Sequence, residues 1–175
     1  MEWAMSKRGF VGTILGLGVA APFLASCGKR GPDRPVERFE VELSEAQWRQ
    51  RLTPAQFKVL REQGTERSGS SPLDLEQRDG SFVCAGCALP VYASAAKFDS
   101  GTGWPSFTAP LPDAVRTRPD PGLFSTRTEV HCRRCGGHLG HVFDDGPPPT
   151  GKRYCMNGVA MNFIAAGDSG SRTSV

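Results

Sequence analysis

Two pairs of cysteines constrain most strongly what this 175-residue chain can fold into. Cys84 and Cys87 form one CxxC motif, Cys132 and Cys135 form another, and 44 residues lie between them. Each CxxC turn brings two thiolates together, and two such turns complete the tetrahedral sulfur shell that zinc occupies in structural sites. We therefore predict a structural Zn²⁺ held by these four cysteines, with no open position for catalysis. Disulfides and a thioredoxin-like redox pair are the alternatives.

Short apolar runs separated by turn residues predict a small antiparallel β fold around this site. The chain contains 21 Gly and 14 Pro, which argues against a helical bundle. Its net charge of +3 is too small to indicate a positively charged surface that binds nucleic acid. Strands are predicted at 81–84, 89–92, 123–131, 139–143, 153–156 and 159–164. Capping boxes at Ser44 to Gln47 and Thr53 to Gln56 predict two short helices before them.

The first 26 residues have the pattern of an export signal. Lys7 and Arg8 precede an uncharged, mostly apolar stretch that is too short and too broken for a membrane span. It ends at Cys27, in a segment that resembles the lipobox of bacterial lipoproteins, so Cys27 is predicted to carry lipid. A plain signal peptide is the alternative, and residues 6–11 leave the export route open because they resemble a twin-arginine motif with Lys in place of the first Arg.

The resulting domain plan places a signal peptide at 1–26, a lipid-anchored tether at 27–40, one domain at 41–166 and a flexible tail at 167–175. The predicted location is extracytoplasmic, on a membrane through the lipid anchor.

Cys155 is the one cysteine without a predicted lipid or metal. It follows Arg153, and His131, His138 and His141 all lie within one stretch of eleven residues. A lone thiol near basic groups is a candidate nucleophile, and we expect Arg153 and the histidines to lower its pKa. A buried structural cysteine, or histidines that bind a second metal, are the alternatives.

Three segments of the chain resemble the B-type peptide methionine sulfoxide reductases. They are KFDSGTGWPSF at 97–107, EVHCRRCGGHLGHVFDDGP at 129–147 and RYCMN at 153–157. The resemblance covers about residues 42–165. It implies a mainly β fold in which two small antiparallel sheets and short N-terminal helices form a single zinc-stabilised domain.

The resemblance also implies a role for each matching residue. Cys155 attacks the sulfur of methionine-R-sulfoxide in oxidised proteins or peptides and becomes a sulfenic acid. His138, His141 and Asn157 bind or protonate the oxygen, and Trp104 packs on the S-methyl group. The remaining substrate-site assignments are Phe107, for which core packing is the alternative, and Arg153, as a supporting charge.

Thr102 stands where many relatives carry a recycling cysteine. We therefore expect an external, thioredoxin-like thiol to reduce the sulfenic acid directly. A zinc-knuckle binding module and a thiol redox sensor remain alternative functions. The first needs the CxxC pairs but not Cys155, and the second consumes peroxide and ignores sulfoxide.

Overall fold

Two short helices open the part of the chain that the computed structural model describes, residues 37–121 and 125–167. They are α1, Glu45–Arg51, and α2, Pro54–Glu62, and both predicted capping boxes are formed. The inner faces of these helices bury Trp48, Phe57 and Leu60. No helix in this described part is long and apolar enough to cross a membrane. The predicted signal peptide, Cys27 and residues 168–175 of the predicted tail lie outside the described residues.

The described strands form two antiparallel sheets. The small sheet has the order β2–β1–β9, with β1 at Gly80–Cys84, β2 at Pro90–Ala93 and β9 at Met161–Ala165. The large sheet has the order β3–β4–β8–β7–β6–β5. Its strands are β3, Lys97–Phe98; β4, Ser106–Phe107; β5, Val115–Pro121; β6, Thr126–Cys132; β7, His138–Phe143; and β8, Arg153–Met156. The predicted mainly β fold with two antiparallel sheets and short N-terminal helices is confirmed.

Strand β5 corrects the sequence prediction, which places no strand between residues 92 and 123. Pro119 and Pro121 both lie within it. The strand stands at the edge of the large sheet and pairs only with β6. An edge strand tolerates proline because a missing backbone N–H can face away from its neighbour. The two-residue strands β3 and β4 were also missed, since so short a run carries no measurable alternation.

Aromatic and aliphatic side chains from both sheets form the core between them. Tyr92 of the small sheet stacks on Phe107 of the large one, with ring centroids 4.3 Å apart. Phe82 meets the same Phe107 ring edge-on at 4.9 Å. The Tyr92 hydroxyl donates to the Met156 sulfur at 3.1 Å. These contacts fix β4 and β8, the strands that carry the site described below.

The last residues of the predicted tether contact the large sheet. Glu37 pairs with Arg116 of β5 at 2.8 Å and lies 3.2 Å from the His131 ring of β6. The Phe39 ring meets the His131 ring edge-on, with centroids 6.0 Å apart. Residues 37–40 therefore belong physically to the edge of this sheet.

Candidate active site and metal centre

Cys155 lies on β8, an inner strand of the large sheet. Its direct cross-strand partners are Ser106 on β4 and His141 on β7. Directly paired residues of antiparallel strands project to the same face, so the thiol has a hydroxyl on one side and an imidazole on the other. Gly140 permits this close pairing, because a Cβ there would lie 2.1 Å from the Cys155 carbonyl oxygen.

A small pocket of about 130 Å³ opens over Cys155. Of the predicted site residues, it brings together Cys155, His141, Asn157 and Trp104. The full lining is Thr65, Trp104, Arg127, Gly140, His141, Phe143, Cys155 and Asn157. The sequence prediction did not assign Arg127 and Phe143 to the site. Only the alternation of β6 and β7 could have shown that their side chains share a face with other site residues.

His141 is held by a carboxylate from the edge strand. Its Nε2 lies 2.7 Å from Oδ2 of Asp120, and Arg127 donates to the same oxygen at 2.8 Å. The hydrogen bond with His141 lowers the pKa of Asp120, although burial opposes it. Burial lowers the pKa of His141, and the Asp120 hydrogen bond opposes that effect. A neutral imidazole beside an ionised carboxylate carries its proton on Nε2, which leaves Nδ1 as the acceptor.

His138 lies behind the pocket lining, with its own carboxylate. Its Nδ1 is 2.9 Å from Oε1 of Glu129, and Arg118 donates to both oxygens of that carboxylate. Burial raises the pKa of Glu129, but the hydrogen bonds from His138 and Arg118 outweigh it and bring the pKa to about 2. Within the described residues, the His138 Nε2 is buried and has no hydrogen-bond partner.

A register irregularity explains how both histidines share one region. Residues three apart in a regular strand point to opposite faces. The pairing of β6 with β7 shifts between Val130 and His131, so one extra residue is inserted in β7. The rings of His138 and His141 accordingly meet edge-on, with centroids 5.3 Å apart. The bulge cannot be read from the sequence.

One residue, Glu66, links the positions of Trp104 and Asn157. Its carbonyl oxygen accepts from the indole Nε1 of Trp104 at 3.2 Å, and its backbone N–H donates to Oδ1 of Asn157 at 2.9 Å. Its carboxylate accepts from the backbone N–H groups of Gly158 and Val159 at 2.5 and 2.9 Å. The indole ring and the amide are therefore fixed in orientation before any substrate arrives.

The net pKa shift of Cys155 is opposite to the prediction. Burial raises the pKa of the thiol, while the positive charge of Arg153 and hydrogen bonds with Thr102 and Ser106 oppose the rise only in part. Arg153 itself pairs with Asp145 at 2.7 Å and lies over the Phe143 ring at 4.5 Å, beside the pocket. A proton is therefore retained on the sulfur of the free protein at neutral pH.

Phe107 lies outside the pocket. Its side chain is fully buried, between Tyr92 and Phe82 in the core. Phe107 is therefore a core residue, which was the alternative interpretation of the sequence, and its ring does not contact the pocket over Cys155.

The four predicted zinc ligands come together at the ends of two strands. All four sulfur atoms lie within 4.8 Å of one another, with Cys84 to Cys135 at 3.7 Å and Cys87 to Cys132 at 3.5 Å. A Zn–S distance of about 2.3 Å places tetrahedral sulfurs about 3.8 Å apart. The spacing therefore fits a structural zinc and is too long for the disulfide alternative. The cluster joins the two sheets, because Cys84 ends β1 and Cys132 ends β6.

The second metal-binding turn requires a glycine. Gly136 has a φ of +67°, and a Cβ there would lie 2.5 Å from the Phe39 ring. Its backbone N–H donates to the Cys132 carbonyl at 2.9 Å and closes the turn. Left-handed backbone geometry of this kind is the reason for a glycine directly after the motif.

Comparisons with known proteins identify relatives over most of the described chain. The SelR domain family matches residues 52–165. The peptide methionine sulfoxide reductase MsrB of Methanosarcina barkeri is 52% identical over 124 residues, which are 70% of this chain and 87% of that protein. The protein of the same name from Bradyrhizobium diazoefficiens is 53% identical over 125 residues, 71% of this chain and 90% of that protein. The chloroplastic peptide methionine sulfoxide reductase B1 of Arabidopsis thaliana is 48% identical over 138 residues, 77% of this chain and 68% of that protein.

Proposed function

The chain belongs to the SelR domain family and is a B-type methionine sulfoxide reductase, and we propose that Cys155 is the nucleophile with which it repairs oxidised methionine. The observation that carries the proposal is the joint presence of Cys155, Trp104, His141 and Asn157 around one small pocket. In this pocket the indole face suits the apolar methyl group of a methyl sulfoxide, the polar groups suit its oxygen, and the thiol can reach its sulfur.

The chemical step transfers one oxygen atom. The lone pair of the Cys155 sulfur attacks the sulfoxide sulfur and forms an S–S bond while the sulfoxide oxygen is protonated. The OH group then moves to the Cys155 sulfur, so the sulfoxide S–O bond and the S–S bond both break and a new S–O bond forms on Cys155. Methionine sulfoxide is reduced by two electrons to methionine, and Cys155 is oxidised by two electrons to a sulfenic acid. The proton of the sulfenic acid comes from the Cys155 thiol itself, in keeping with its raised pKa.

His141 acts as the proton carrier in this step. Because Nε2 is engaged by Asp120, Nδ1 accepts the thiol proton as the sulfur attacks and returns it to the oxygen. Asn157 contributes its second amide N–H, since the first donates to the Leu139 carbonyl at 3.1 Å. His138 and Glu129 lie behind this pair and keep the rear of the pocket polar.

Trp104 selects the epimer by shape. Its Nε1 is used by the Glu66 carbonyl, so the flat apolar face is what it offers to a substrate methyl group. With an apolar wall on one side and hydrogen-bonding groups on the other, the pocket accepts only one arrangement of methyl, oxygen and chain around sulfur. We assign the R epimer, as the resemblance implies.

An external thiol completes the cycle. A first thiol attacks the sulfenic sulfur and releases water, and a second thiol resolves the mixed disulfide to restore Cys155. Thr102 cannot perform the first attack. We infer that a thioredoxin-like protein is the reductant, on the basis that a thiol pair is needed.

We also infer an extracytoplasmic, membrane-anchored location, which rests on the pattern of residues 1–27. Expression of the full chain with radiolabelled palmitate in a bacterial host tests this. Label and membrane association are expected for the native chain and absent for Cys27→Ser. Equal membrane association of both forms would refute lipidation at Cys27.

The function is tested with the zinc-loaded full chain in detergent, with dithiothreitol and N-acetyl-methionine R- or S-sulfoxide supplied separately. We expect turnover of the R form alone, and loss of at least 10³-fold in Cys155→Ser, as in other thiol nucleophiles (order of magnitude). Turnover of peroxide without sulfoxide reduction would instead establish the redox-sensor alternative. No turnover of either by a folded protein would favour the zinc-knuckle binding module.

A further inference from the structure

A second and larger recess adjoins the pocket over Cys155. It has a volume of about 460 Å³ and shares Thr65 with that pocket. Its walls include Ala55 and Lys58 of α2, together with Val59, Pro72 and Val159. We call this recess the flanking groove. The pocket over Cys155, at about 130 Å³, has room for the sulfoxide side chain but not for neighbouring residues, and the flanking groove is an adjoining recess that can receive one of them.

Three polar residues of the flanking groove, Glu66, Ser70 and Ser71, are already engaged within the protein, whereas Lys58 is an exposed cation on its wall. Both carboxylate oxygens of Glu66 accept backbone N–H groups, from Gly158 and Val159. The Ser70 hydroxyl donates to the Arg67 carbonyl at 2.6 Å. The Ser71 hydroxyl accepts from the Leu73 N–H at 3.2 Å. Engaged groups add little recognition of an uncharged polar guest, so the apolar side chains decide which uncharged side chain the recess can bind.

We propose that the flanking groove binds the apolar side chain of a residue next to methionine sulfoxide in a protein or peptide substrate. The inference rests on the proposed function and extends it to substrate preference. The apolar walls favour a leucine-like neighbour over asparagine, an uncharged side chain of similar size, since the amide would lose water there while the Glu66 and serine groups are already engaged. One residue, Thr65, forms the border between the two recesses, so one peptide can occupy both.

The test compares three substrates: N-acetyl-methionine-R-sulfoxide, a peptide with leucine on both sides of the R-sulfoxide, and the same peptide with asparagine on both sides, which excludes an ion pair with Lys58. The full zinc-loaded chain is expected to show a kcat/KM about five- to tenfold higher for the leucine peptide than for the asparagine peptide. The difference is expected in KM, because the groove contacts the peptide and not the reacting atoms.

Ala55→Asp places a carboxylate on the groove wall, and Ala46→Asp is its matched control. Both alanines are exposed and occupy the second position of a helix, where aspartate is compatible with the helix dipole. Ala55→Asp is expected to abolish the leucine preference, and Ala46→Asp to keep it. Ala55→Trp, which fills the recess, is expected to raise KM for the leucine peptide and to leave KM for the small substrate unchanged.

Each outcome separates the groove from the proposed function. If all variants reduce the small substrate but the wild-type chain shows no leucine preference, or Ala55→Asp keeps it, the groove proposal is overturned and the function stands. Failure of the wild-type chain on the small substrate instead overturns the function. A concentration-dependent dimer that Ala55→Asp dissociates would show that a second copy occupies the groove, and would overturn the peptide assignment.

Discussion

Replacement of Glu129 by glutamine tests the buried ion pair behind the active site. The Glu129 side chain is 3% exposed and accepts hydrogen bonds from His138 and from two nitrogens of Arg118. Glutamine keeps one acceptor oxygen and puts an NH₂ donor in place of the other. Two donors then face each other, so either the imidazole or the guanidinium loses its partner.

The expected loss of stability follows from the pKa of Glu129. A pKa that falls from 4.5 in the unfolded chain to about 2 in the native protein corresponds to about 3 kcal/mol of stabilisation. Solvent reduces the share of Arg118, because 43% of its side chain is exposed. We expect Glu129→Gln to lower the free energy of unfolding by about 2–3 kcal/mol at pH 7.

Urea unfolding of the zinc-loaded proteins measures this difference, with Glu62→Gln as the control. Glu62 is half exposed, and its weak pair with Arg49 predicts a change below about 0.5 kcal/mol. A lowered carboxyl pKa stabilises the protein fully above pH 4.5 and loses that contribution as the pH falls towards 2. The difference from wild type should therefore be equal at pH 7 and pH 5. A difference under 0.5 kcal/mol at both values would refute the assignment of Glu129 as a stabilising anion.

Two further predictions concern the metal centre and the core. Removal of zinc with a chelator is expected to abolish cooperative unfolding, because the cluster joins the sheets at Cys84 and Cys132. Thermal melting followed by circular dichroism, before and after zinc is restored, measures this. An unchanged melting curve after chelation would contradict the prediction. Phe107→Leu is expected to lower the free energy of unfolding by about 1–2 kcal/mol through lost stacking on Tyr92, with KM for the small sulfoxide unchanged. A tenfold rise in KM without loss of stability would instead make Phe107 a substrate-binding residue.

The metal centre and the helices were predictable because their signals are local. A CxxC motif specifies its own turn, and the capping boxes at Ser44 and Thr53 specify where each helix begins. The strands with several alternating apolar residues were found for the same reason. Strand β5 was missed because its edge position, which makes Pro119 harmless, depends on the whole sheet.

The site was predictable in its central members but not in its electrostatics. Cys155, His141, Asn157 and Trp104 are identified by the motifs that contain them, but Thr65 and Arg127 lie in none of these motifs, and the carboxylates that hold the histidines come from other strands. Asp120 precedes His141 by 21 residues, and no spacing rule connects the two. The raised pKa of Cys155 follows from burial, which the charges around it in the sequence do not reveal.

The inner position of β8 determines how a reductant must approach. Backbone pairing with β4 on one side and β7 on the other holds the main chain of Cys155 in place, so the sulfur moves only as far as rotation of its own short side chain allows. A mixed disulfide requires two sulfur atoms about 2 Å apart. The incoming sulfur must therefore travel most of the distance, into a recess of about 130 Å³. A thiol on a projecting loop or a small molecule fits this approach better than a thiol set in a broad, flat surface.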